Sequence, residues 1–161
     1  MKLVHYSDQP LGALLVREPG PERAFFKPRG LWLSDDDCDD NWRAWCVAEG
    51  FGLERLTHVH DVELLPDANV LILKSAADIR SFTREWTFED PKLPSMMRVR
   101  WPDVMTAYDG LIITPYIWRM RLDMEAGWYY SWDCASGCIW QPRAVASVML
   151  REVVPVPEPT Q

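Results

Sequence analysis

The sequence predicts an α+β protein: a mainly antiparallel, split β-sheet with two or three helices. Residues 1–154 form a single domain and residues 155–161 a Pro-rich tail. Three observations carry this prediction. Thirteen prolines spread along 161 residues argue against a helical bundle and for strands and loops. Residues 56–64 (LTHVHDVEL) alternate with the period of a strand, whereas residues 41–49 repeat at helical spacing. The resulting order is strand, strand, helix, strand, strand, helix, short helix, then several strands. That order suits segregated antiparallel strands better than a doubly wound parallel sheet.

Residues 2–7 (KLVHYS) begin a short strand that ends on His5, Tyr6 and Ser7, and residues 8–12 turn. Residues 14–18 are a second short segment, and residues 17–28, with three prolines and Gly20, are a loop. Gly30 opens a compact strand, GLWLS. The following SDDDCDD supplies N-cap candidates and acidic first-turn residues, which favour a helix start. The helix over 41–49 carries Trp42, Trp45, Cys46 and Ala48 or Glu49 at i, i+3, i+4 spacing, and Gly50 ends it.

In the strand over 56–64, Leu56, His58, His60, Val62 and Leu64 share one face and Val59 lies on the other. Residues 70–73 are a further strand. Ser75 to Asp78 open a helix that runs to Trp86, with Ile79, Phe82 and Trp86 on one face. Residues 90–95 are a proline-marked break. Residues 99–107 predict a short helix with Pro102 near its first position. Tyr108, Asp109 and Gly110 turn into a buried strand over 111–118, interrupted by Pro115. Residues 119–126 are a polar connection. Strands over 127–132 and 138–140 flank a loop that holds Asp133. Residues 142–149 are a last short helix or strand, and residues 151–156 an edge strand.

Nine tryptophans exceed what a core of this size needs, so some rings line a cleft or an interface. A formal net charge of −7 argues against non-specific nucleic-acid binding by the whole surface. No apolar run is long enough to span a bilayer, and no secretory pattern opens the chain. The cytoplasm is therefore the expected compartment, and Cys38, Cys46, Cys134 and Cys138 are expected as free thiols.

Several chemistries lack their residue patterns. Cys134 and Cys138 do not have zinc spacing, and His58 with His60 offers only two ligands, so no metal site is expected. A nucleophilic cysteine needs a nearby cation or helix N-terminus. Cys38 lies among aspartates, and Cys134 follows Asp133 with no cation beside it. Neither GxGxxG nor a Walker loop is present. The acidic run over 35–40 reads as a helix-capping turn rather than a cation site.

What remains is an ordered set of short motifs. VHYS closes the first strand; Gly30-Leu-Trp-Leu-Ser34 leads to Trp42-x-x-Trp45; HDVEL and NVLIL precede a helix. Tyr108-Asp-Gly-Leu111 then opens a strand, and Ile139-Trp-Gln-Pro142 closes the series. In this order, over roughly residues 2–150, the chain resembles the ADP-ribosyltransferase fold in its compact bacterial and phage-type branches. The related NAD-degrading toxins of the RES type share the Asp-Gly strand.

The resemblance implies an enzyme that cleaves the nicotinamide–ribose bond of NAD. ADP-ribose would pass to a macromolecular target, protein or nucleic acid, or to water in a glycohydrolase. His5 would bond a ribose of NAD, and Tyr6 and Ser7 would line the nicotinamide pocket. Gly30, Trp32 and Ser34 would form the second motif, supporting the ring and the wall of the site. The family's acid stabilises the oxocarbenium-like charge. Its usual position falls near Ser136, the nearest acid is Asp133, and Asp109 is a second choice. The catalytic set is thus His5, Ser34 and Asp133, in a cytoplasmic, toxin-like transferase with no metal. Two other readings stand beside it. One is a small non-catalytic interaction protein, an inhibitor or adaptor, using the acidic run and a Trp-rich face. The other is an enzyme built on Cys134.

Overall fold

The computed structural model describes residues 1–12, 27–90 and 93–159. The predicted segment over 14–18, and all but the last residues of the loop over 17–28, lie outside the described residues. The architecture is α+β. A seven-stranded sheet is built from β1 (Leu3–Ser7), β2 (Leu31–Asp35), β3 (His58–Leu64), β4 (Val70–Leu73), β7 (Gly110–Ile113), β8 (Ser136–Ile139) and β9 (Val145–Val153). A separate hairpin pairs β5 (Thr87–Asp90) with β6 (Leu93–Val99). The helices are α1 (Trp42–Glu49), α2 (Ala76–Trp86) and α3 (Trp101–Ala107), with short 3-10 turns between elements.

The strand order in the large sheet is β4-β7-β8-β2-β1-β3-β9. Every pair is antiparallel except β4 with β7, which run parallel. A parallel pair needs a crossover, and α2, the hairpin and α3 together supply it. The sheet is thin at one seam. β1 pairs with β2 only at Leu3↔Asp35 and Val4↔Ser34. By contrast β1 pairs with β3 at four positions, and β2 with β8 at four. Beyond Val4 the pairing of β1 with β2 stops, but the seven strands form one hydrogen-bonded sheet and not the split sheet that the sequence predicts.

Side chains alternate across the sheet, as strand geometry requires. Leu111, Ile113 and Cys138 face a core that includes Ile79, Phe82, Trp101, Trp128, Tyr129 and Trp140. Leu33, Ile112 and Ile139 face a smaller cluster with Leu3, Val62 and Ala144. Gly137 lies between these layers, opposite both Leu33 and Ile112. A Cβ there would stand 2.6 Å from Ile112 Cγ1.

Several boundaries differ from the sequence reading. α1 is capped by Asn41, whose side chain accepts from the Ala44 N–H at 2.9 Å; its first turn holds no acid. Gly50 ends it in the left-handed region, at φ 61°. Residues 53–56 are a 3-10 turn, so the alternating strand starts at His58. The break expected over 90–95 is the β5–β6 hairpin, whose residues 91–92 lie outside the described residues. The strand expected over 111–118 stops at Ile113, ahead of Pro115, which has no N–H for a ladder.

The strand expected over 127–132 is overturned. Residues Met124–Ser131 are 3-10 helical. Trp128 and Tyr129 are buried by packing on Phe82 (4.8 Å between centroids) and Tyr116 (5.2 Å), not by strand pairing. A short apolar run does not by itself separate strand from helix. Residues 155–159 carry no regular structure and are largely exposed. No helix among the described residues is long and apolar enough to cross a membrane.

Candidate functional site

Where β1 and β2 part, a cavity of about 270 Å³ opens. Val4, His5 and Tyr6 line it from β1, and Trp32, Leu33 and Ser34 from β2. Asp133 and Cys134 close it from the approach to β8 and Ser136 from β8 itself, and Trp42, Lys27 and Arg55 complete the wall.

His5 sits in the seam itself. Its Nδ1 donates to the Trp32 carbonyl at 2.8 Å, which fixes the tautomer and leaves Nε2 without a hydrogen-bond partner among the described residues. Burial pushes its pKa below the ordinary 6.5. The Trp32 carbonyl opposes that shift, and His60 reinforces it. The ring is therefore a neutral imidazole with an acceptor nitrogen. His60 stands behind it, with ring centroids 5.9 Å apart. Nδ1 of His60 donates to the His5 carbonyl (3.3 Å), and Nε2 accepts from the Leu11 N–H (3.1 Å). Both nitrogens of His60 are thus occupied, and His58 Nδ1 contacts the Thr57 hydroxyl at 3.1 Å. Among the described residues no group of three His, Cys, Asp or Glu side chains is arranged to hold a metal ion.

Tyr6 and Ser34 converge on Asp36. The Tyr6 hydroxyl donates to Oδ2 at 2.7 Å and the Ser34 hydroxyl to Oδ1 at 2.9 Å. Burial, and then the Asp36 carboxylate, raise the Tyr6 pKa, so the phenol stays protonated. Ser34 Oγ also accepts from the Trp42 N–H at 3.1 Å, joining β2 to the start of α1. A serine bonded on both sides shapes the wall rather than attacking a substrate. Its neighbour Asp35 is buried, which by itself would raise its pKa. Hydrogen bonds from Thr114 (2.6 Å) and from the N–H groups of Lys2 and Asp37 outweigh burial and hold it below its ordinary value.

Asp133 is the only carboxylate among the described residues that line the cavity. Its Oδ1 accepts from Arg121 at 3.3 Å, and its Oδ2 lies 3.6 Å from the Lys27 ammonium. Arg121 is itself held by the Tyr116 hydroxyl (2.9 Å) and the Trp132 carbonyl (3.4 Å). Trp32 forms the flat wall and packs on Trp132 at 5.1 Å. Among the described lining residues, Lys27 and Arg55 stand against Asp133, in a chain of net charge −7.

The structure brings His5, Tyr6, Trp32, Ser34 and Asp133 together, with Ser136 beside them. Ser7, Gly30 and Asp109 do not line the cavity. Ser7 donates to the Gln9 carbonyl at 2.6 Å. Gly30 passes β8 so closely that a Cβ would meet the Ile139 carbonyl and stand 2.8 Å from Cys138 Sγ. Asp109 is buried elsewhere, where it accepts from the Asn69 N–H (3.0 Å) and Arg143 (2.8 Å).

The sequence reading missed Lys27, Arg55 and Arg121. Each lies in a loop or 3-10 turn with no periodic pattern to mark it. Cys134 lines the cavity, but burial raises its pKa to about 11, so its thiol is protonated at neutral pH and poorly nucleophilic. Much of the acidic run is bonded within the chain: Asp36 by Tyr6 and Ser34, Asp37 by the terminal ammonium (2.8 Å), Asp40 by the Trp118 indole (2.9 Å). No protein-family model, curated protein or solved structure matches the chain.

Proposed function

We propose that the chain is an NAD-dependent ADP-ribosyltransferase, or NAD glycohydrolase, of the ADP-ribosyltransferase fold, with the β1–β2 cavity as its nicotinamide–ribose site. The observation that carries the reading is convergence. Residues from two separate motifs, His5 and Trp32, and the acid nearest the expected acidic position, Asp133, line one cavity although 128 positions (133 − 5) separate the first from the last. A cavity with flat aromatic walls and a few polar groups suits a ring and a sugar.

In this reading His5 Nε2 accepts from a ribose hydroxyl, and Trp32 stacks on the nicotinamide ring. The bond between the ring nitrogen and C1′ breaks with its electron pair passing to the nitrogen, and neutral nicotinamide leaves. Asp133 faces the positive charge that develops at C1′. A target nucleophile or water then bonds C1′ and loses its proton. Ser34 and Tyr6, joined through Asp36, keep the wall in place. Arg55, an exposed member of the lining, meets the phosphates.

The test is incubation with NAD and measurement of released nicotinamide, with binding followed by calorimetry and His5→Ala as the control. Release by the wild type that the variant loses supports the reading; absence of both binding and release removes it. A second reading, a non-catalytic interaction protein, draws on one observation. Trp118, Leu122, Met124 and Tyr130 expose 55–79% of their surface within thirteen residues (118 to 130). A pull-down that recovers one stoichiometric partner and loses it on Trp118→Ala and Tyr130→Ala substitution favours it.

A further inference from the structure

Lys27 bridges two walls of the cavity. Its ammonium lies 5.3 Å from the centroid of the Trp32 ring and 3.6 Å from Asp133 Oδ2. An aromatic face and a carboxylate converging on one point make a cation site: the ring presents its negative face and the carboxylate its charge. All three side chains line the same cavity.

The two walls and the occupant are held differently. Trp32 is packed on Trp132, and Arg121 grips the other oxygen of Asp133 from a fixed position. Carboxylate and ring therefore keep their places when Lys27 leaves. Lys27 is more than a third exposed, and Asp133 is its only ion-pair partner among the described residues. An exposed pair of this kind contributes little to stability, so it is readily exchanged for a competitor.

We propose that Trp32 and Asp133 form a subsite for a planar organic cation, that Lys27 fills it in the free protein, and that an entering pyridinium ring displaces the ammonium. The identification of the cation as a pyridinium rests on the NAD reading above. The ring charge is then what the subsite selects. A displaced Lys27 is free to meet the anionic part of the same ligand.

The experiment uses 1-methylnicotinamide, a cation that cannot be hydrolysed as NAD is, beside neutral nicotinamide. Both are titrated calorimetrically into the wild type, Lys27→Met, Lys27→Gln and Asp133→Asn, after thermal unfolding has shown each to be folded. The wild type is expected to bind the cation about ten-fold tighter than the neutral ring, a preference of the size of a partly desolvated cation–π contact. Lys27→Met and Lys27→Gln are expected to tighten the cation about ten-fold more and leave nicotinamide unchanged, and Asp133→Asn to lower the preference to the part that the Trp32 face supplies. Equal binding of the two rings by the wild type, or cation affinity unchanged or weakened in both Lys27 variants, overturns the proposal. Nicotinamide release from NAD, measured on the same samples, separates the two ideas. Cation preference without release keeps the subsite and removes the transferase. Release without cation preference does the reverse.

Discussion

His5 and Trp32 meet across the opening between β1 and β2, with the imidazole Nδ1 donating to the Trp32 carbonyl at 2.8 Å. In a continuous ladder that carbonyl would take a backbone N–H from the neighbouring strand. A side chain takes that place instead, so the strands separate without leaving the carbonyl unpaired. One hydrogen bond thus pairs the Trp32 carbonyl at the opening, fixes the histidine tautomer and leaves Nε2 without a partner among the described residues.

That arrangement makes stability depend on pH. The folded-state pKa of His5 lies below 6.5, chiefly through burial. Between that lowered value and 6.5 the unfolded chain binds a proton that the folded chain refuses. The contribution is therefore complete above pH 6.5 and lost as pH falls through this window. Melting temperatures at about pH 7.5 and about pH 5 should differ more for the wild type than for His5→Asn. The carboxylate Asp35 acts in a separate window, below its ordinary 3.8.

Asp133→Asn separates chemistry from folding. Its two cationic partners are held at 3.3 and 3.6 Å on a partly exposed group, so the loss of stability should stay below about 1 kcal/mol. Nicotinamide release should fall by about 10²- to 10³-fold, the effect of removing one preorganised electrostatic partner of a transition state. Steady-state kinetics together with a thermal melt make the comparison.

Ser34→Ala should show the opposite pattern. Its hydroxyl bonds Asp36 and the first N–H of α1, and the site is buried. Stability should fall by about 1–3 kcal/mol as these groups lose a buried partner. Activity per folded molecule should change by less than about ten-fold, because the hydroxyl has no hydrogen left to offer a substrate.

Trp32 is expected to act through its face. Trp32→Phe keeps a ring against Trp132 and should hold NAD binding within about three-fold, whereas Trp32→Leu should weaken it about ten-fold. Calorimetric titration of both variants distinguishes an aromatic wall from a merely apolar one.

Much of the fold was legible because local signals were strong. Ser75 and Gly50 mark helix ends by their own chemistry, and the alternation through His58–Leu64 marks a strand, whereas the cap of α1 is Asn41 and not one of the aspartates before it. The misread stretch, 127–132, has no such signal: its aromatic residues are buried by α2 and Tyr116, contacts that only the tertiary structure supplies. Sheet order was equally hidden. HDVEL and NVLIL are neighbours in sequence, yet β3 and β4 lie near opposite edges of the sheet. At the site, the residues carried by motif order, His5, Trp32 and Ser34, do line the cavity. Its cations do not announce themselves, since Lys27 follows a proline-rich stretch and Arg121 lies in a polar connection. Their roles come from Asp133, which they reach through space.

Saturation-transfer NMR of NAD with the wild-type protein tests the central claim most directly. Saturation should reach the nicotinamide ring and its ribose protons more strongly than the adenine, and should disappear in a His5→Ala, Asp133→Asn double variant that remains folded. Saturation confined to the adenine, or none at all, would contradict a nicotinamide–ribose site between β1 and β2.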